Sequence, residues 1–216
     1  YVMLKANEKY KTNNPMLKNQ GAPPIKDVKI VFTGEAITQA EGVQNGDYDV
    51  LASVPAEYFD ELNKSDSIEI VEASGAEVHY TELNMTDPLF QDINVRKAIV
   101  HAVNRDNLGA YLSVFEKPAY SLVLSKCLNY SDEAVEYYKQ NYGYDAELSK
   151  KLLADAGWAD TNNDGFVDKN GQNFAFEFDC RDDEIAKKSA QSIQIDLKAI
   201  GINMQIKTQN WSYVNQ

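Results

Sequence analysis

The chain has 216 residues, with 21 basic against 33 acidic side chains and a formal charge of −12. That field repels the phosphates of nucleic acid and an anionic membrane surface, and an apolar content of 44% excludes disordered and low-complexity classes. No run approaches the roughly 18 apolar residues of a membrane span, and a start at Tyr1 reads as internal.

In chain order, Val28, Ile30 and Phe32 alternate with polar neighbours, which predicts a strand over 26–32 with one buried face. A helix over 35–44, the turn pair Asn45-Gly46 and a strand over 48–52 complete an expected βαβ unit. Pro55 suits a first helical position, and Tyr58, Phe59 and Leu62 fall on one side of the segment it opens. Strand-like runs follow at 68–72 and 76–83. Asp92 then caps a helix whose Val95, Ala98, Ile99, Ala102 and Val103 recur at steps of three and four. Asn104 and Asp106 stop and restart the chain into a helix over 107–112. Helices beginning at Ser131 and Asp145 and ending at Gly143 and Gly157 are expected to form a pair, with Tyr137 and Tyr138 as its core and flank. Phe174, Phe176, Phe178 and Cys180 mark a strand with an aromatic face. A helix stacking Ala186, Ala190, Ile193, Leu197 and Ile200 stops at Gly201, and Ile202, Met204 and Ile206 resume the alternation, giving a second βαβ unit with parallel strands. The expected fold class is α/β, divided near 80–84.

Catalytic motifs are missing: no GxSxG, SxxK, P-loop or GxGxxG stands after a strand, so the chain reads as non-enzymatic. Cys127 and Cys180 either pair or serve as isolated small hydrophobes, and His79 and His101 lie in no zinc pattern. Residues 160–168 follow the start of a calcium loop. Asp160, Asn162 and Asp164 take the first three side-chain positions, Gly165 the sharp turn, the Phe166 carbonyl the next place and Asp168 the one after. Gly171 stands where a bidentate Glu belongs, which lowers the expected affinity; the other reading is an Asx-rich hairpin loop whose side chains bond their own backbone. Tyr10, Tyr48, Tyr80, Tyr111, Tyr120 and Tyr213 fall near element ends, where a ring can line a cleft.

Several strings resemble one family. Leu83-Asn84, then Pro88-Leu89-Phe90-Gln91-Asp92-Ile93-Asn94-Val95-Arg96-Lys97-Ala98-Ile99, closed by Ala102-Val103-Asn104-Arg105, are similar to the extracellular solute-binding proteins of family 5, the oligopeptide, dipeptide and nickel type that serve ABC importers. Pro118-Ala119-Tyr120-Ser121, the stretch from Tyr144-Asp145 to Gly157-Trp158, the loop 160–171, Lys198-Ala199-Ile200-Gly201-Ile202 with Trp211, residues 4–10 and Gly46-Asp47-Tyr48-Asp49 extend the likeness over nearly the whole chain.

The resemblance implies a two-lobed periplasmic-binding-protein-like fold present as a fragment. Residues 1–80 would be the end of a split first lobe and 81–216 an incomplete second lobe. It further implies a substrate-binding component that closes on a peptide or similar small solute and docks on ABC permease subunits. The protein would be periplasmic or a cell-surface lipoprotein, and a monomer. Tyr80 and Glu82 transfer from the family's cleft-facing strand, with Asn84 after them and Ser53 in the other crossover, as ligand-binding candidates. Asp92 and Arg96 read as structural, pairing near the hinge. The competing reading is a calcium-binding structural or adhesion module built on residues 160–168, with calcium as its one candidate cofactor.

Overall fold

The computed structural model describes residues 1–73, 75, 77–113, 115–210 and 212. The chain forms two compact units, Tyr1–Val71 and Glu72–Gln216.

In the first unit, β1 (Val2–Lys5) pairs antiparallel with β2 (Asp27–Ile30), Val2 opposite Ile30 and Leu4 opposite Val28. The pleat therefore gathers Val2, Leu4, Val28 and Ile30 on one face, as the alternation requires. That face is uncovered within the unit: all four residues are at least 40% exposed. Helix α1 (Ala36–Gln44) buries Ala40 and Gly42. The expected strand over 48–52 does not form, because Tyr48 turns back onto this helix, its N–H donating to the Gly42 carbonyl at 3.0 Å. With that strand gone, β2 pairs with β1 and the first expected βαβ unit is replaced by a long-looped hairpin. Pro55 opens a 3₁₀ turn, Ala56–Tyr58, that runs into α2 (Phe59–Leu62), where Leu62 is buried and Tyr58 and Phe59 are half-buried. Residues 68–72 carry no ladder partner. A strand exists only through its neighbour, and periodicity cannot supply one.

Gly42 yields a direct test. A free helical glycine gains about 0.4–1 kcal/mol on replacement by alanine, but here the added methyl overlaps the Tyr48 ring. Gly42→Ala should therefore lower the unfolding midpoint of the first unit, and Gly42→Ala with Tyr48→Ala should recover it, as followed by urea titration.

The second unit holds the larger core. After a 3₁₀ turn, Pro88–Phe90, come α3 (Ile93–Ala102), α4 (Arg105–Leu112), α5 (Asp132–Tyr142) and α6 (Ala146–Asp155). Each start has a side-chain cap, at Asp92 and Asp145 as expected from sequence: Asp92, Asn104, Ser131 and Asp145 accept from the N–H groups of Asn94, Asn107, Ala134 and Leu148. The pairing differs. Helix α6 packs on α3, where the buried Ser149 hydroxyl donates to the Ala98 carbonyl at 2.7 Å and the Asp145 N–H to the His101 carbonyl at 2.8 Å. Serine opposite alanine allows that close approach. Helix α5 buries no residue, so Tyr137 and Tyr138 lie on the surface instead of in the expected core.

A short hairpin, β3 (Asp168–Lys169) with β4 (Gln172–Asn173), turns through Asn170 and Gly171, both at positive φ. It leads into β5 (Ala175–Arg181), α7 (Glu184–Ala199) and β6 (Asn203–Gln209), and β5 and β6 are parallel as expected. Phe176 and Phe178 on β5, Met204 and Ile206 on β6, and Ala190, Ile193 and Leu197 on α7 close over Val95, Ala98 and Ile99 of α3.

Candidate functional site

The segment entering the second unit is set by local chemistry. Leu83 packs against the core, while Tyr80, Glu82 and Asn84 stand exposed. The expected strand over 76–83 has no ladder among its described residues, and its first residue, Ala76, lies outside them. Beyond it a relay of turns locks the chain. The Asn84 side-chain oxygen accepts from the Thr86 N–H at 3.0 Å and hydroxyl at 2.7 Å, and Asp87 accepts from the Leu89 N–H at 2.9 Å. Arg96 does not pair with Asp92 as expected: its Nη1 donates to the carbonyls of Phe90 and Gln91, both at 2.8 Å, and so fastens the turn before α3. The Asp87-Pro88 pair, a cap followed by proline at a first helical position, was the signal for this turn. Ser53 is exposed at a bend in the first unit.

Of the other tyrosines, Tyr48 packs on Gly42, and the Tyr120 ring lies under the Arg105 guanidinium at 5.2 Å with the Lys139 ammonium at 6.0 Å. These two cations tie the Pro118-Ala119-Tyr120 stretch to α4 and α5. Burial lowers the Arg105 pKa below the ordinary guanidinium value. Tyr213 and Trp211 lie outside the described residues. Cys127 is exposed and Cys180 buried, both as free thiols, and burial pushes the Cys180 thiol up.

Residues 160–168 turn their oxygens inward. Asp160 accepts from the N–H groups of Asp164 at 3.2 Å and Gly165 at 3.0 Å. Asn162 accepts from the Asp164 N–H at 2.9 Å and donates to the Asp164 carboxylate at 3.1 Å. Asp164 accepts from the Phe166 N–H and the Asn173 amide, each at 2.8 Å, and the buried Asp168 from the Thr161 N–H at 2.8 Å. Gly171 belongs to the hairpin turn, so the loop's twelfth position serves the backbone. Among the described residues no three His, Cys, Asp or Glu side chains converge to hold a metal.

The Asn173 amide, then the Phe166 N–H, hold the Asp164 carboxyl below its ordinary pKa. A carboxyl depressed by folding stabilises the native state above its unfolded pKa, and that contribution is lost as pH falls through the folded value. Asp164→Asn should flatten the acid limb of a plot of urea midpoint against pH. An unchanged limb contradicts the assignment.

The fold of this chain is that of two-lobed periplasmic binding proteins. The solved structure of the oligopeptide-binding protein AppA from Bacillus subtilis in complex with a nonapeptide matches it at a TM-score of 0.66 and 25% identity, over 90% of this chain and 38% of that one. The structure of NikA from Brucella suis matches in fold at a TM-score of 0.67 and 23% identity, over 89% of this chain and 39% of that one. The sequence is 29% identical to the Bacillus subtilis oligopeptide-binding protein AppA over 214 residues, 98% of this chain and 37% of that protein. It is 26% identical to the dipeptide-binding protein of Escherichia coli over 196 residues, 88% of this chain and 33% of that protein.

The family model for bacterial extracellular solute-binding proteins, family 5 Middle, matches residues 1–216. The chain belongs to that family, and it spans little more than a third of the length of these relatives. Among the described residues no helix is long and apolar enough to cross a membrane.

Proposed function

We propose that the protein containing this chain binds peptides outside the cell and presents them to the permease of an ABC importer. The observation that carries this reading is the family match over all 216 residues, together with relatives named for oligopeptide and dipeptide binding. Residues 1–80 and 81–216 are read as parts of two lobes that close on the solute as a monomer, the whole tethered to the outer face of the membrane by a lipid anchor. The uncovered face of Val2, Leu4, Val28 and Ile30 agrees with a first lobe that more chain completes.

Tyr80, Thr81 and Glu82 are all exposed, just ahead of Leu83, which packs against the core. That segment offers a peptide an aromatic ring and a carboxylate two residues apart. Asn84, its oxygen held by Thr86, keeps its amide N–H groups for a peptide carbonyl, and Ser53 is retained as a candidate by resemblance alone. Backbone bonds and water-filled side-chain pockets would supply tolerance for sequence. No step of chemistry is assigned to these residues.

Peptide binding to the native state should raise the thermal midpoint with the logarithm of peptide concentration. Glu82→Gln should raise the peptide concentration needed for a given midpoint shift by about tenfold or more, the worth of one charge-assisted hydrogen bond. A response to peptides that Glu82→Gln and Tyr80→Ala both leave intact would move the site elsewhere. We read residues 160–168 as a self-bonded loop, so unfolding curves in calcium and in chelator should coincide.

A further inference from the structure

The loop joining β1 to β2, residues 6–26, stands apart from the rest of the chain in charge. Residues 5–29 hold six lysines, Lys5, Lys9, Lys11, Lys18, Lys26 and Lys29, against two acids, Glu8 and Asp27, a formal charge of +4 within a chain of −12. All six lysines are exposed, and among the described residues none is paired with a carboxylate; the Lys29 ammonium lies 5.0 Å over the Tyr1 ring.

The loop's backbone is held by its own side chains. Ala6 N–H donates to the Lys26 carbonyl at 2.7 Å, and Thr12 N–H to the Gln20 carbonyl at 3.0 Å. Asn7, Asn14 and Asn19 each accept from the N–H two residues on, at 3.0 Å, and the Gln20 amide reaches the carbonyls of Asn14 at 2.8 Å and Leu17 at 2.6 Å. These bonds leave the apolar side chains outside: Met16 is 86% exposed, Ile25 65%, Leu17 45% and Tyr10 42%.

We propose that this loop docks on an anionic bilayer surface, its lysines over acidic phospholipid headgroups and Met16 and Leu17 at the acyl boundary. Cationic side chains interleaved with exposed apolar ones are the composition that binds such an interface. An acidic polypeptide would satisfy the lysines and leave Met16 and Leu17 in water. The formal charge of −12 does not forbid this contact, because at physiological salt a charge is screened beyond roughly 8 Å, and the loop meets the surface with its own field. The inference is independent of which solute the protein carries.

The test uses the protein containing this chain, sedimented with vesicles of phosphatidylcholine alone or in equal mixture with phosphatidylglycerol. Wild type should partition onto the anionic vesicles and at least tenfold less onto the neutral ones, and should release as salt rises from about 0.1 M to about 0.5 M. A Lys9→Glu/Lys11→Glu/Lys18→Glu variant should lose on the order of a hundredfold in partitioning, since each lysine near such a surface is worth roughly fivefold. Met16→Ser/Leu17→Ser should lose severalfold on the same vesicles, with the circular dichroism of both variants matching wild type. Four results would overturn the proposal: no wild-type binding at low salt, equal partition onto neutral vesicles, equal binding by the charge-reversed variant, or binding that Met16→Ser/Leu17→Ser leaves unchanged and polyglutamate abolishes.

Discussion

Phe174→Ala is expected to lower the unfolding free energy of the second unit by about 3–5 kcal/mol, the range for removing a buried aromatic ring. The Phe174 side chain is fully buried, with its ring 4.6 Å from that of Trp158, 6.2 Å from that of Phe176 and 6.5 Å from that of Phe90. Its backbone also joins the hairpin to the sheet: its N–H donates to the Val167 carbonyl at 2.8 Å, and its carbonyl accepts from the Asn203 N–H at 2.9 Å. Three separate pieces of the fold therefore meet on one side chain: the turn before α3, the Trp158 segment after α6, and β5. Urea unfolding followed by tryptophan fluorescence measures the change. A loss below about 1 kcal/mol would mean the site collapses freely, against the packing described.

Gly201→Ala should cost nearly as much for a different reason. Gly201 ends α7 at a φ of +82°, a conformation that charges an L-residue about 1–2 kcal/mol. The position has no room either. A β-carbon would stand 3.0 Å from Val167 Cγ1 and 3.1 Å from Val167 N, whose N–H donates to the Gly201 carbonyl at 2.8 Å. Overpacking adds about 1–3 kcal/mol, so the sum is roughly 2–5 kcal/mol. Gly201→Ala/Val167→Ala separates the parts: the double variant should recover the overpacking due to Val167 Cγ1 beyond what Val167→Ala alone predicts, and keep the left-handed share and the approach to Val167 N. Strict additivity of the two single changes would show that the Val167 side chain is not the obstacle.

Helix starts were legible in the sequence because a cap acts within one turn. Asp92, Asn104, Ser131 and Asp145 each bond an N–H two or three residues ahead, and nothing distant alters that choice. The strand pair around α7 was legible for a related reason: Phe174 to Cys180 and Ile202 to Ile206 flank an amphipathic helix that can return only to the sheet it left. Strands at 48–52, at 68–72 and, among its described residues, at 76–83 failed because a strand depends on a partner, and Tyr48 is claimed by Gly42 first. The pairing of α6 with α3 failed likewise, since it rests on Ser149 meeting Ala98 from 51 residues away.

The candidate site was visible by resemblance and silent by chemistry. Tyr80 and Glu82 are exposed side chains on an irregular segment, and such residues leave no periodicity or cap to read. The calcium spacing at 160–168 was visible, and the same oxygens serve turns equally well, because an Asx carboxylate accepts from an N–H as readily as it faces a cation. The basic loop was hidden by averaging. The charge of +4 over residues 5–29 disappears into a total of −12, while those lysines act only over a screening length.

Equilibrium dialysis of a mixed pool of short peptides against the protein containing this chain tests the central claim most directly, with the retained fraction released by denaturation and weighed by mass spectrometry. Peptides held one per protein and recovered with their masses unchanged are the predicted result. Retention of nothing above a control protein, or recovery of cleaved or altered peptides, would contradict it.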